Sequence, residues 1–225
     1  LCQLRIGGLT TMKKIAVTLF AALAAGLIAG QASATLIDFA AEAGARGEGG
    51  VADGTVVNST RLGGLNLQLS AGIGGANSDF AYFNVATPNG SPQGLGTCTR
   101  LDSNKQCNPS YDDVVASNEW VQIGFLDGPF DIQRISFNGG GNTPLDASLG
   151  NIKITSSLNG LVAIATVTFA QLATSAFGLV DWIRFEFVDT EFVVAQISDV
   201  PLPGGLPLLL SGLAGLGFAA RRKKA

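Results

Sequence analysis

Apolar and polar residues alternate in short runs along most of this chain, and no long stretch keeps the 3.6-residue period of an amphipathic helix. Leu65-Asn66-Leu67-Gln68-Leu69-Ser70 alternates without a fault, as a half-buried strand requires. Val121, Ile123 and Phe125 share one face of a second strand, and Ile135 and Phe137 one face of a third. Ile152 and Ile154 flank Lys153 in a fourth. Over residues 180–188, Ile183, Phe185 and Phe187 form one face, with Trp182, Arg184 and Glu186 on the other. Further strands are predicted at residues 35–39, 54–58, 79–85, 161–169 and 191–198, with a short helical piece near Gln171. Clusters such as Gly74-Gly75, Asp127-Gly128-Pro129 and Asn159-Gly160 supply the turns between them. About ten short strands at this spacing predict an all-β fold, an antiparallel sandwich of jelly-roll type. Two segments break the pattern. Residues 42–54 are small, polar and glycine-rich and read as a mobile loop. Residues 87–118 read as a long insertion carrying Pro88, Pro92, Pro109 and a cysteine pair. A loop of that length inside a compact domain is usually functional or stapled.

Charge sharpens the picture. All 17 Asp and Glu lie within residues 35–199, against seven of the 14 Lys and Arg, so this segment carries 7 − 17 = −10 while the whole chain carries −3. Such a surface argues against nucleic acid and anionic membrane as partners and suits divalent cations or a soluble matrix. The chain has no histidine, which excludes Ser-His-Asp and Cys-His nucleophiles and His-ligated zinc. Cys98 and Cys107 form an even pair: a disulfide in an oxidising compartment, or a redox pair whose spacing departs from C-x-x-C.

Asp102, Asn104, Asp112, Asp113 and Glu119 are hard oxygen donors within 18 residues. They predict either a loose structural calcium site at the loop base or a solvated acidic loop with turn-forming Asp and Asn. An EF-hand is excluded, because Cys107 stands where that loop needs glycine. Trp120 and Trp182, with Tyr82 and Tyr111, would stack on sugar rings if exposed and otherwise belong to the core. Glu119 and Glu186 sit on predicted strands and could face a sugar as a glycosidase pair, and nothing else in the sequence supports that chemistry.

The two ends carry addresses. Residues 1–11 precede Met12 and read as an extension ahead of the natural start. Residues 12–34 have the charged start, 15-residue apolar run (15–29) and Ala32-Ser33-Ala34 cleavage site of a signal peptide, which places Thr35 first in the mature chain. Residues 200–225 begin with Val200-Pro201-Leu202-Pro203, continue as the apolar run Leu206 to Leu216, and end with Arg221, Arg222, Lys223 and Lys224. The apolar stretch is a short membrane span, and the terminal cations fix its cytoplasmic side. This tail resembles a PEP-CTERM sorting signal of the VPLPA type, with Gly204 where that variant usually has alanine. The segment around Cys98 and Cys107 also resembles one that recurs in exported domains of such proteins. The resemblance implies an exosortase as partner, retention in the inner membrane, and delivery to the cell surface or an exopolysaccharide matrix. With no histidine in the chain, the leading expectation is a non-enzymatic surface or matrix protein of a Gram-negative bacterium. The alternative, from the aromatics on a jelly-roll scaffold, is a carbohydrate-binding module, calcium-stabilised if the acidic loop binds the ion.

Overall fold

The computed structural model describes residues 34–86, 91–110, 112–139, 145, 150–172 and 176–199. The sorting and orientation residues Val200 to Pro203 and Arg221 to Lys224, the signal segment up to Ser33 including Ala32, and Tyr111 lie outside the described residues. Among the described residues no helix is long and apolar enough to cross a membrane.

Every paired strand is antiparallel. One half of the molecule contains β1 (Leu36–Asp38), β2 (Gly49–Val51), β6 (Ser91–Cys98), β9 (Arg134–Gly139) and β14 (Phe192–Ser198). The other contains β3 (Thr55–Val57), β4 (Leu67–Ile73), β7 (Glu119–Phe125), β10 (Asn151–Leu158), β11 (Leu161–Thr168) and β13 (Trp182–Phe187). The long strand β5 (Ala76–Ala86) belongs to both. Its first residues pair with β4, and from Phe80 onward it pairs with β6. The result is a single 12-stranded sheet curled over its own core, ordered β1-β14-β6-β5-β4-β7-β13-β10-β11 along its main path. Two short strands, β8 (Phe130–Ile132) and β12 (Gly178–Val180), pair separately.

The core sits where the alternation places it. Leu67, Leu69, Val121, Ile123, Ile152, Ile154, Ile183 and Phe185 meet Ile37, Phe83, Leu95, Val194 and Ile197 from the opposite half in one buried cluster. Phe137 packs edge-on against Phe169, Phe185 and Phe192 at 5.1–5.5 Å between ring centroids, a geometry that aromatic quadrupoles favour. The short helix expected near Gln171 is present as α2 (Phe169–Leu172), after α1 (Phe39–Arg46).

Two expectations are corrected. Much of the segment read as a mobile loop is α1, followed by β2. The Asp38 carboxylate caps the helix, accepting from the Ala41 amide at 2.8 Å, and Phe39 and Ala43 bury one side. Buried Glu42 accepts from the Ser59 hydroxyl at 2.7 Å and faces Arg46 and Arg61 at 4.0 Å. The insertion is shorter than it reads, because β6 forms within it. Gly94 and Gly96 hide that strand from the alternation rule. At both, a Cβ would run into neighbouring backbone, the Val194 carbonyl and the Asp113 carbonyl respectively. Glycine is what lets these backbones approach so closely.

Candidate functional site

Residues 99–110 and 112–118 fold back over β5 and β6. The disulfide expected between Cys98 and Cys107 is present, with an S–S distance of 2.03 Å. It packs on Tyr82, which is fully buried and accepts from the Cys107 amide at 3.2 Å through its hydroxyl.

Period-two register puts Asp79 of β5, Thr97 of β6 and Glu119 of β7 on the inward side of their strands. Asp79 shares parity with Ala81 and Phe83, Thr97 with Leu95, and Glu119 with Val121 and Ile123. All three are at least 95% buried, at 5%, 0% and 4% exposure. Glu119 Oε2 accepts from the Ala116 amide at 2.7 Å and lies 2.8 Å from Thr97 Oγ1, which also lies 2.8 Å from the Val114 carbonyl. Thr97 has one hydroxyl hydrogen for those two oxygens. Both contacts are satisfied when Glu119 is neutral: its own hydroxyl then donates to Thr97, Thr97 donates to Val114, and the same oxygen still accepts from Ala116. The electrostatics agree. Burial raises the Glu119 carboxyl to about 7, outweighing its two hydrogen bonds, and the charges of Asp112 and Asp79 add to the rise. Burial likewise raises Asp79, whose Oδ2 has no partner. Asp113 is pushed up to about 6 by burial and then by Glu48. Its carbonyl accepts from the Asn84 amide group at 3.1 Å, while Asp112 accepts from the Thr99 amide at 3.1 Å and from the Thr99 hydroxyl.

This arrangement stitches the loop to the sheet. It does not assemble the five residues proposed for calcium. Asp102 is exposed and uses Oδ1 to hold its own turn, accepting from the Asn104 and Gln106 amides at 2.7 and 2.9 Å. Glu119 faces the interior. Among the described residues, the only trio of acidic or sulfur ligand atoms within 4.8 Å of one another is Cys98, Cys107 and Asp112, and both sulfurs are already bonded together. A calcium cage needs six to eight oxygens around one point, and these side chains do not converge on one.

The tryptophans part ways. Trp120 is 1% exposed. Its indole donates to the Gly74 carbonyl at 3.0 Å, and the Arg184 guanidinium carbon sits 3.7 Å from the ring centroid. Gly72 makes room for it, since a Cβ there would strike the Ala76 carbonyl and the indole. Trp120 therefore offers no face to a sugar. Trp182 is half-buried on the outer side of its sheet, directly between Gly124 of β7 and Ser157 of β10. Beside it, Arg184 donates to Gln122 at 3.0 Å, and Glu186 accepts from Lys153 at 2.7 Å and Thr155 at 3.0 Å. Glu186 and Glu119 thus lie on opposite sides of the sheet, which denies them the shared substrate face of a glycosidase pair.

Asp79, Thr97 and Asn84 were not singled out in the sequence. The signal was available for Glu119, which continues the parity of Val121, Ile123 and Phe125. Comparison of the chain with known protein families, curated proteins and solved structures finds no match in any of the three.

Proposed function

We propose that this chain is a non-enzymatic exported protein of the cell surface or extracellular matrix, handed to an exosortase by its C-terminal segment. The observation that carries the reading is the tail itself: Val200-Pro201-Leu202-Pro203, the apolar run after it, and Arg221 to Lys224. The Cys98–Cys107 disulfide supports it from the folded domain, because such bonds persist in oxidising compartments. The jelly-roll type is our reading of the curled, sandwich-like sheet. Signal removal before Thr35 fits a domain whose first strand follows at once, at Leu36. Deleting Pro201 to Pro203 is expected to leave unprocessed protein in the inner membrane, read by the mass of the native C-terminus and by surface labelling. An unchanged mass with unchanged surface delivery would sink the sorting assignment.

One observation favours a second reading, a carbohydrate-binding module. Trp182 is half-buried on the outer sheet face, flanked in register by the small residues Gly124 and Ser157, with polar side chains already held in place around it. Aromatic rings with placed polar neighbours suit the apolar faces and hydroxyls of sugars. An array of exopolysaccharide fragments tests this: Trp182→Ala is expected to abolish binding while the melting temperature holds. Binding that survives the substitution would refute it.

A further inference from the structure

Among the described residues, strand β11 lies at the end of the sheet and pairs on one side only, with β10. Leu161, Val162 and Ile164 are 80%, 57% and 65% exposed. Natural sheets protect such edges with charge, proline, bulges or covering segments. Here residues 161–172 contain no ionisable residue and no proline, and the β10–β11 ladder runs through eight consecutive pairs without a shift. We propose that β11 is a self-pairing edge through which two copies of this chain join antiparallel, extending one sheet into the next.

The register follows from the hairpin. Asn159 and Gly160 form a two-residue turn with φ of 51° and 79°, so the closing pair Leu158–Leu161 exchanges both backbone hydrogen bonds. Alternate residues then point their N–H and C=O groups away from β10: Val162, Ile164 and Thr166. A two-fold axis normal to the sheet keeps outer faces outer, so paired positions must share parity. Centring that axis on Ile164 sets it against Ile164 of the second copy, with Val162 opposite Thr166. Leu161 then meets Val167 and Ala163 meets Ala165 on the inner face. All these residues are uncharged. Charge leaves this edge as a place where a second copy of the chain can approach. Residues 35–199 carry a formal −10, so two copies repel wherever carboxylates face one another, and β11 brings none. Eight strand residues a side are about a third of the 20–30 that a stable interface uses. The association is therefore weak and favoured by the crowding of a surface layer.

The test uses the full chain in density-matched detergent, followed by sedimentation equilibrium from about 10 μM to 1 mM, the range expected for an interface of this size. A concentration-dependent dimer is expected. Ile164→Lys places like charges on each other across the axis and should weaken the dimer roughly tenfold or more, with the melting temperature unchanged. Ile164→Cys should give a reducible dimer on a non-reducing gel, and Leu126→Cys, at another exposed position (52%) elsewhere, should not. A monomer throughout, a dimer indifferent to Ile164→Lys, or Ile164→Cys linked to a different protein would each overturn the proposal. So would a large drop in melting temperature for Ile164→Lys, since that means the edge is already covered within one copy.

Discussion

Replacing Glu119 with glutamine should make the stability curves of two proteins cross as pH changes. When Glu119 is protonated, one of its oxygens can donate to Thr97 Oγ1, 2.8 Å away, while accepting from the Ala116 amide. An amide offers either a donor or an acceptor at that position, so Glu119→Gln loses one buried hydrogen bond at low pH, about 1 kcal/mol. The carboxylate behaves differently with pH. Its folded-state value of about 7 lies above the ordinary 4.5. The folded form therefore binds the proton more tightly, and its stabilising effect is complete below about 4.5 and lost as pH rises through 7. A shift of this size corresponds to about 3 kcal/mol. The wild type should accordingly be the more stable protein at pH 4.5 and the less stable, by about 2 kcal/mol, at pH 8. That difference is about 4–8 °C in melting temperature for a domain of this size. The curves should cross between pH 5 and 6. Asp79 and Asp113 titrate in both proteins, so the difference between the curves reports Glu119 together with its coupling to Asp79 and Asp112. Thermal unfolding by circular dichroism from pH 4.5 to 8 is the assay. Parallel curves would show that Glu119 is charged in the fold and that the proton count at Thr97 has been misjudged.

Other outcomes follow from the same geometry. Replacing Cys98 and Cys107 together with serine should cost about 2–3 kcal/mol and expose residues 99–118 to rapid amide exchange; unchanged exchange would mean that the polar stitching alone holds the loop. Gly72→Ala should destabilise by about 2 kcal/mol or more, because its methyl group must displace the Ala76 carbonyl or the Trp120 ring, and a melting temperature equal to wild type would contradict the packing described. Trp120→Ala should cost about 3–5 kcal/mol, whereas Trp182→Ala should cost under about 2, so denaturant midpoints that reverse this order would show that the two rings had been assigned to the wrong environments. Calcium at millimolar concentration should leave the melting temperature unchanged, and a rise would mean that the acidic loop rearranges around the ion.

Much of this fold is written in parity. Leu67 and Leu69, Val121 to Phe125, and Ile183 and Phe185 all fall on the faces that alternation assigns them, because burying one side of a strand leaves a period of two in the sequence. The disulfide was legible from two cysteines in a segment otherwise hard to hold. What escaped was set by contacts distant in sequence. β6 carries glycine where other strands carry valine, since its backbone is pressed against β14 and against the returning loop. The helix α1 owes its position to Phe39 and to Glu42, whose partners Ser59 and Arg61 lie about 18 residues on. The acidic loop reads as a cation site because oxygen donors are dense in it, but density along a chain is not convergence in space. Glu119 turns inward to Thr97, while Asp102 closes its own turn. Trp120 and Trp182 share a sheet face, and only the neighbouring Arg184 and the β4–β5 turn decide which ring is covered.

The pairing of β1 with β14 brings the two limits of the domain together. Leu36 lies opposite Ser198, and the Thr35 amide donates to the Asp199 carboxylate at 2.6 Å. A ribosome or export channel delivers the N-terminal end first, so the leading strand must wait, unmatched, for the very last one. Docking of β1 onto the end of the sheet is thus a late event, possible only once residue 198 has emerged. Until then the nascent domain is an open ribbon, and its most vulnerable interval is set by the speed of delivery.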